Sequence, residues 1–138
     1  MRARQMKEKV RNTRPNIKWG RGGMNDVYFV TRYLQLRDRI YFSPERGTAA
    51  LVAHLGEMGA LDGKSATALF EGYTFLRKLD HWMRLLLDRP SPVLPASSIA
   101  LRDLTRALGL PSASAFEAEL AKQTTAIREV YDRVFGLA

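Results

Sequence analysis

Apolar residues spaced three and four positions apart, in stretches bounded by Gly and Pro, constrain this chain more than any other feature. That spacing places apolar side chains along one side of an α-helix, and no stretch shows the alternation typical of a β-strand. The pattern predicts a helix from about Asn25 to Tyr41. Its predicted apolar stripe consists of Val27, Val30, Leu34 and Tyr41, widened by Phe29, Tyr33, Leu36 and Ile40. The sequence therefore predicts an all-α protein, a helical bundle of five to six helices.

Capping residues and glycines predict the limits of the later helices. These limits are Thr48 to Met58, Asp62 or Ser65 onward, Ser98 to Gly109, and Ser112 or Ser114 to Gly136. The predicted core face of the long fourth helix is Leu69, Phe70, Tyr73, Leu76, Leu79, Met83 and Leu86-Leu87. Gly72 lies inside that helix, where Gly costs about 1 kcal/mol relative to Ala, so we expect another helix to pack closely there.

Positive charge is concentrated at the start of the chain. The net charge is +8, and residues 1–21 hold eight Lys or Arg and one acidic residue. Residues 2–12 are predicted to form a short basic helix with Met6 and Val10 on one side. Such a segment favours an anionic partner, such as a nucleotide, a nucleic acid or an acidic protein face. The alternative is a solvated helix that lost its neighbouring domain.

Several classes of site are not expected. The chain has no cysteine, which excludes disulfides and thiolate metal sites and suits a reducing cytoplasm. No apolar run approaches the roughly 20 residues of a membrane span, and the first residues do not resemble a signal peptide. His54 and His81 are single residues on different predicted helices, so no metal site is expected.

Other polar and aromatic residues are assigned ordinary structural roles. Asp80, Asp88 and Asp103 are expected to form surface ion pairs, and no catalytic residue is expected in this chain. Trp19 and Trp82 are expected to be packing groups. The bases of the fourth helix, Arg77, Lys78 and Arg84, are expected to solvate its polar face.

A glycine-rich turn is the most specific local feature. Ile17-Lys18-Trp19 is predicted to be extended, and Gly20-Arg21-Gly22-Gly23 then precedes the helix near Asn25. Glycines let a backbone approach a ligand closely, and free N–H groups at a helix N-terminus favour a phosphate. The alternative is a plain turn in which Asn25 or Asp26 is the N-cap. The candidate nucleotide- or domain-contacting residues are Lys18, Gly20, Arg21, Gly22, Gly23 and Asp26.

The segment from Lys18 to Phe29 resembles one family. Bifunctional glutamine synthetase adenylyltransferase/adenylyl-removing enzymes carry K-x-G-x-G-G-I-x-D-I-E-F-x-x-Q there, and the related uridylyltransferases of the PII protein carry a similar G-G-L-R-D-I. Further resemblances follow in order along the chain, at residues 33–37 (Y-L-Q-L-R), 73–79 (Y-x-F-L-R-R-x-E) and 85–95 (L-x-x-D-x…L-P). Tyr28 and Arg32 depart from the pattern, because they occupy the positions of the family's Glu and Gln.

The resemblance implies a helical domain that normally docks on a nucleotidyltransferase domain. The family has two nucleotidyltransferase domains, each followed by a helical domain, and its catalytic G-S and paired aspartates lie upstream of the glycine turn. Residues 1–23 would then link to an upstream nucleotidyltransferase domain that is missing here, and residues 24–138 would form the helical bundle. The end of the chain resembles that of the second, adenylylating half.

The resemblance also implies the chemistry and partners of the parent enzyme. Full-length relatives use ATP, with Mg²⁺ as the usual metal, to transfer AMP to a tyrosine of glutamine synthetase, or remove it. Glutamine and the PII protein control them.

Two other functions stay open from the sequence. A free-standing nucleic-acid-binding module would use the basic leading segment and bind in a strongly salt-dependent way. Against this, the basic residues lack interleaved aromatics and no helix-turn-helix signature is present. A degenerate protein-interaction module is the third possibility, with Tyr28 and Arg32 marking the lost function.

Overall fold

The computed structural model describes residues 14–87 and 91–137. Its elements in chain order are α1 (Met24–Arg37), a short 3₁₀-helix (Pro44–Arg46), α2 (Thr48–Glu57), α3 (Gly63–Leu86), α4 (Ser98–Ala107) and α5 (Ala113–Val134). No strand occurs in these residues, and one isolated bridge pairs Asn16 with Val93. The all-α bundle is confirmed, with five α-helices in the described part of the chain. The basic helix predicted over residues 2–12 lies outside the described residues.

Local capping explains where three of the helices begin. The side chains of Asp62, Ser97 and Ser112 each accept a hydrogen bond from a backbone N–H three residues further on. Each bond satisfies a donor in the first turn that lacks an intrahelical partner. The caps at Asp62 and Ser112 are confirmed, whereas the cap predicted at Ser98 is Ser97 instead.

Helix α1 is shorter than its apolar pattern predicts. It ends at Arg37, with Asp38 as its C-cap, and the N–H of Ile40 donates to the carbonyl of Gln35. Arg39 follows with a φ of 53°, which a continuing helix cannot accommodate. The prediction that Tyr41 belongs to the buried stripe is therefore wrong, since its side chain is 86% exposed.

Helix α3 is the centre of the bundle and packs against all four other α-helices. The largest fully buried side chains are Ile17, Val27, Val30, Leu34, Leu55, Leu69, Leu76, Leu79, Met83, Leu104, Phe116 and Ile127. The close approach predicted at Gly72 is confirmed, because a Cβ there would lie 2.7 Å from two side-chain carbons of Ile127 on α5. Phe70 was placed on the core face wrongly, since it is exposed.

Residues 14–23 pack onto the bundle before α1 begins. Ile17 donates to the carbonyl of Pro92 at 2.8 Å, and Leu94 donates to the carbonyl of Pro15 at 3.0 Å. The Ile17 side chain lies in the core. The extended stretch predicted over residues 17–19 is a turn instead. No helix among the described residues combines the length and apolar character that crossing a bilayer requires.

Candidate functional site

The glycine turn, residues 18–23, is closed by its own backbone hydrogen bonds. Gly20 donates to the carbonyl of Asn16 and Gly23 donates to that of Gly20, both at 2.9 Å. The N–H groups of Met24, Asn25 and Asp26, in the first turn of α1, donate to the carbonyls of residues 17, 18 and 23. The free N–H groups expected for a phosphate are therefore already occupied within the turn.

The glycines of the turn are required by close contacts within the protein. Gly22 has a φ of +73°, and a Cβ there would lie 2.0 Å from the backbone oxygen of Thr124 on α5. A Cβ on Gly20 or Gly23 would lie 2.4 to 2.9 Å from backbone oxygens of residues 16–20. These distances are far below van der Waals contact, so only Gly fits. Within the described residues the glycines shape the turn and seat it against α5.

Asp26 connects the glycine turn to α5. Its carboxylate accepts from the N–H of Gly22 at 2.7 Å and pairs with the Arg128 guanidinium at 3.2 Å. The N-cap of α1 is Gly23, without a side-chain bond, so the prediction that Asn25 or Asp26 is the N-cap is wrong. Asp26 acts from the first turn instead, by reaching back to a donor that precedes the helix.

The Asp26 pair extends into a short chain of charges along α5. Arg128 pairs with Asp132 at 3.0 Å, and Asp132 also lies 3.5 Å from Arg21. The Arg128 guanidinium packs 4.1 Å from the ring centre of Tyr131. Sequence reasoning missed Arg128 and Asp132. Their spacing of four predicts a mutual pair, but not that the pair meets Asp26, which is 102 positions away in the chain.

A concave site, the basic recess, lies beside the glycine turn. Its volume is about 390 Å³, and its charged lining residues are Lys18, Arg77, Asp80 and Arg84. Its aromatic lining residues are Trp19, Tyr28 and Tyr73. The structure thus brings Lys18 together with bases of α3 that are distant in sequence. Gly20, Arg21, Gly22, Gly23 and Asp26 are not part of this lining, and Arg21, Gly22 and Asp26 contact α5 instead.

Three side chains of the basic recess differ from their predicted structural roles. Trp19 is 66% exposed, so it is not a packing group. Arg77 and Arg84 line the recess in addition to facing solvent. Asp80 pairs with Arg84 at 3.0 Å, which confirms a surface pair for that residue. Arg77 belongs to the family-like segment at residues 73–79. That position was the feature of the sequence that could have marked it as a functional residue.

Comparison with known proteins places the chain in a family. The family model described as GlnD PII-uridylyltransferase matches residues 1–135. The chain belongs to this family.

Curated relatives of this family member are bifunctional glutamine synthetase adenylyltransferase/adenylyl-removing enzymes. The protein from Aromatoleum aromaticum is 32% identical over 123 residues, which cover 88% of this chain and 13% of the relative. The protein from Rhizobium meliloti is 30% identical over 122 residues, which cover 87% of this chain and 12% of the relative. The chain therefore spans about an eighth of the length of the curated relatives it matches.

The residues that depart from the family-like pattern contact each other. The Arg32 guanidinium lies 5.1 Å from the ring centre of Tyr28, a cation–π distance. Arg32 also donates to the side-chain oxygen of Gln35 at 3.2 Å. Tyr28 lines the basic recess, so one of these two residues places an aromatic ring at that site.

The acidic and histidine side chains that the structure describes do not cluster in a way that suits a metal ion. Across residues 14–87 and 91–137, no group of three or more His, Cys, Asp or Glu could hold one. His54 lies 3.9 Å from Glu57 and packs on Phe42, and His81 packs on Trp82.

Proposed function

We propose that this chain acts as the helical, regulatory domain of an enzyme that adenylylates and deadenylylates glutamine synthetase in nitrogen regulation. The observation that carries the proposal is the family match over residues 1–135, together with relatives whose names state this activity. The chain works with an upstream nucleotidyltransferase domain, and residues 1–23 connect the two. It is not active alone.

The glycine turn is the proposed contact with the nucleotide or with that upstream domain. Lys18 and Arg21 are exposed, while Gly20, Gly22, Gly23 and Asp26 hold the turn in one shape. A turn fixed on both sides presents its charged side chains in a defined geometry, so little entropy is lost when a partner binds. Lys18 and Arg21 would make the contact, and the glycines and Asp26 would position them.

The cofactors and partners follow from the same proposal. ATP and Mg²⁺ serve the parent enzyme, with the metal held by the paired aspartates that the family carries upstream. Glutamine synthetase is the protein substrate, in the bacterial cytoplasm, and glutamine and the PII protein control the activity. This view assigns the basic leading segment to domain contact rather than to nucleic acid.

A direct test measures AMP transfer from ATP to purified glutamine synthetase. The 138-residue chain is assayed alone, and again in a longer protein that includes the preceding nucleotidyltransferase domain. We expect transfer only with the longer protein, and its loss when residues 18–23 are replaced by a flexible Gly/Ser segment. A folded longer protein with no activity would overturn the proposal. Salt-dependent binding of DNA or RNA by the chain would favour the nucleic-acid-binding alternative.

A further inference from the structure

A second concave surface, the apolar groove, lies between the segment at residues 14–21, the loop at residues 94–95 and helices α4 and α5. Its volume is about 490 Å³. Glu117 lines it, is exposed and forms no salt bridge within the described residues. An apolar concave surface of this size is typical of a binding site. The apolar lining includes Pro15, Ile17, Leu94, Leu101, Phe116 and Leu120.

The described part of the chain begins at the apolar groove, because Arg14 and Pro15 both line it. The carbonyl of Pro15 accepts a hydrogen bond from the N–H of Leu94 at 3.0 Å, so the backbone is fixed there. Residues 1–13 are therefore attached at a fixed point of the groove. This attachment gives them a high effective concentration at the groove, which a separate partner lacks.

The composition of residues 1–13 suits an apolar groove that has an acidic lining residue. Ala3, Met6 and Val10 are spaced by three and four positions, so a helix would place them on one side. The same segment holds five Lys or Arg and one acidic residue. Its positive charge complements the carboxylate of Glu117.

The length of the leading segment also matches the groove. Helix α5 lines the groove from Phe116 to Thr124, which is about 12 Å of helix. Residues 2–12 would span about 16 Å as a helix, so they are long enough to cover that stretch. Pro15 disfavours helical backbone at Arg14, and the chain can therefore change direction between the segment and the groove.

We propose that residues 2–12 form an amphipathic helix that docks in the apolar groove of the same chain. Met6 and Val10 cover the apolar lining, and the bases of the segment lie near Glu117. This inference goes beyond the proposed function, which gives residues 1–23 only a connecting role. Docking fixes the direction in which the chain leaves the bundle, so a preceding domain would be held in a defined orientation.

The test is paramagnetic relaxation measured by NMR on the isotope-labelled 138-residue chain. The chain has no cysteine, so Ala121→Cys provides a single attachment site for a nitroxide label. Ala121 is exposed and lines the apolar groove. We expect the amide signals of residues 3–10 to lose intensity with the active label and to recover when the label is reduced.

The control label is attached through Met58→Cys. Met58 is 59% exposed and follows α2, which packs on α1 and α3. This label should leave the signals of residues 3–10 at nearly full intensity. The double variant Met6→Asp/Val10→Asp keeps the attachment of the segment but removes its apolar groups. With the label at residue 121, it should restore most of the lost intensity.

A matched pair of variants tests the charge of the groove. Glu117→Lys should reduce the loss of intensity caused by the label at residue 121, because it places like charges together. Glu129→Lys is the control, since Glu129 is exposed on the same helix but does not line the groove. It should leave the loss unchanged. Unaltered signals of residues 14–137 away from each substitution confirm that the variants are folded.

Three results would overturn the inference. The first is an equal loss of intensity with the labels at residues 121 and 58. The second is a loss that the Met6→Asp/Val10→Asp variant does not change, which would reflect the attachment alone. The third appears when unlabelled protein carrying the nitroxide is mixed with isotope-labelled protein without it. Loss of intensity in that mixture would show that a second copy occupies the groove.

These outcomes are independent of the proposed function. AMP transfer to glutamine synthetase does not enter the measurement, and docking of residues 2–12 is detected in the chain alone. Docking without AMP transfer by the longer protein would leave this inference standing and the proposed function overturned. AMP transfer without docking would have the opposite meaning.

Discussion

Gly22 has a backbone conformation and a neighbour that both exclude a side chain. Its φ is +73°, and a Cβ would lie 2.0 Å from the backbone oxygen of Thr124. We expect Gly22→Ala to lower the free energy of unfolding by about 3 kcal/mol, from left-handed strain and steric displacement of α5 together. Urea denaturation followed by circular dichroism measures the change.

Gly59 is the matched control for that prediction. Its φ is +79°, but a Cβ there would have nothing within 4 Å. Gly59→Ala should therefore show the backbone strain alone, about 1 kcal/mol. Equal losses in both variants would mean that the turn is not seated against α5 as the structure describes.

Asp62 makes the stability of the fold depend on pH. The N–H of Ser65 donates to its carboxylate at 2.7 Å, and this bond holds the pKa of the carboxyl below its ordinary value of 3.8. Because the pKa is lower in the folded state, the stabilisation is present above about pH 4 and is lost as the pH falls through the folded pKa. Asp62→Asn keeps the cap but removes the charge.

We therefore expect wild type to unfold at a higher temperature than the Asp62→Asn variant at pH 7. The difference should shrink as the pH falls from about 3.8 through the lower pKa of the folded state, since below that pKa both caps are neutral. Thermal unfolding between pH 7 and pH 2 measures it. A difference that does not change with pH would show that the charge has no role in the cap.

The packing of α3 on α5 depends on a pair of residues at their crossing. A Cβ on Gly72 would lie 2.7 Å from Ile127, which is fully buried and cannot move freely. We expect Gly72→Ala to destabilise by about 1 kcal/mol, because overpacking exceeds the gain in helix propensity. In an Ile127→Ala background the same change should become stabilising by about 1 kcal/mol. The free energies of unfolding are measured by urea denaturation. If Gly72→Ala changed this free energy equally in both backgrounds, Gly72 and Ile127 would not be in contact at this crossing.

The sequence predicts the capped starts of α3 and α5 better than it predicts which side chains are exposed. The side chains of Asp62 and Ser112 each accept a hydrogen bond from a backbone N–H three positions further on, so the local sequence is sufficient to predict these caps. Tyr41 was misplaced because α1 ends at Arg37, before the apolar pattern does. Phe70 was misplaced because its exposure depends on how neighbouring helices pack, which periodicity does not encode. The same holds for Trp19, whose apolar character says nothing about its position at the edge of a recess.

At the scale of the whole molecule, the candidate site was only partly predictable. The glycine turn is continuous in sequence, so its residues could be named in advance. The basic recess joins Lys18 to Arg77, and the charge chain joins Asp26 to Arg128. These pairs exist only once α3 and α5 are placed beside the turn. The resemblance at residues 73–79 marked the segment of Arg77, but not its neighbours in space.

The sequence predicts a boundary at residue 23, between a connecting segment (residues 1–23) and the helical bundle (residues 24–138). Ile17 lies before that boundary, yet its side chain is 1% exposed and packs in the same core as the helices. If residues 14–23 fold as part of the bundle, Ile17→Ala removes a core side chain and should cost about 3 kcal/mol in a single unfolding transition. Ile99→Ala is the control, since Ile99 is 62% exposed and should change stability by less than about 0.5 kcal/mol. A small loss of stability in Ile17→Ala would indicate that residues 14–23 are a separate linker. A large loss would show that they belong to the bundle, so that the domain boundary lies before residue 14.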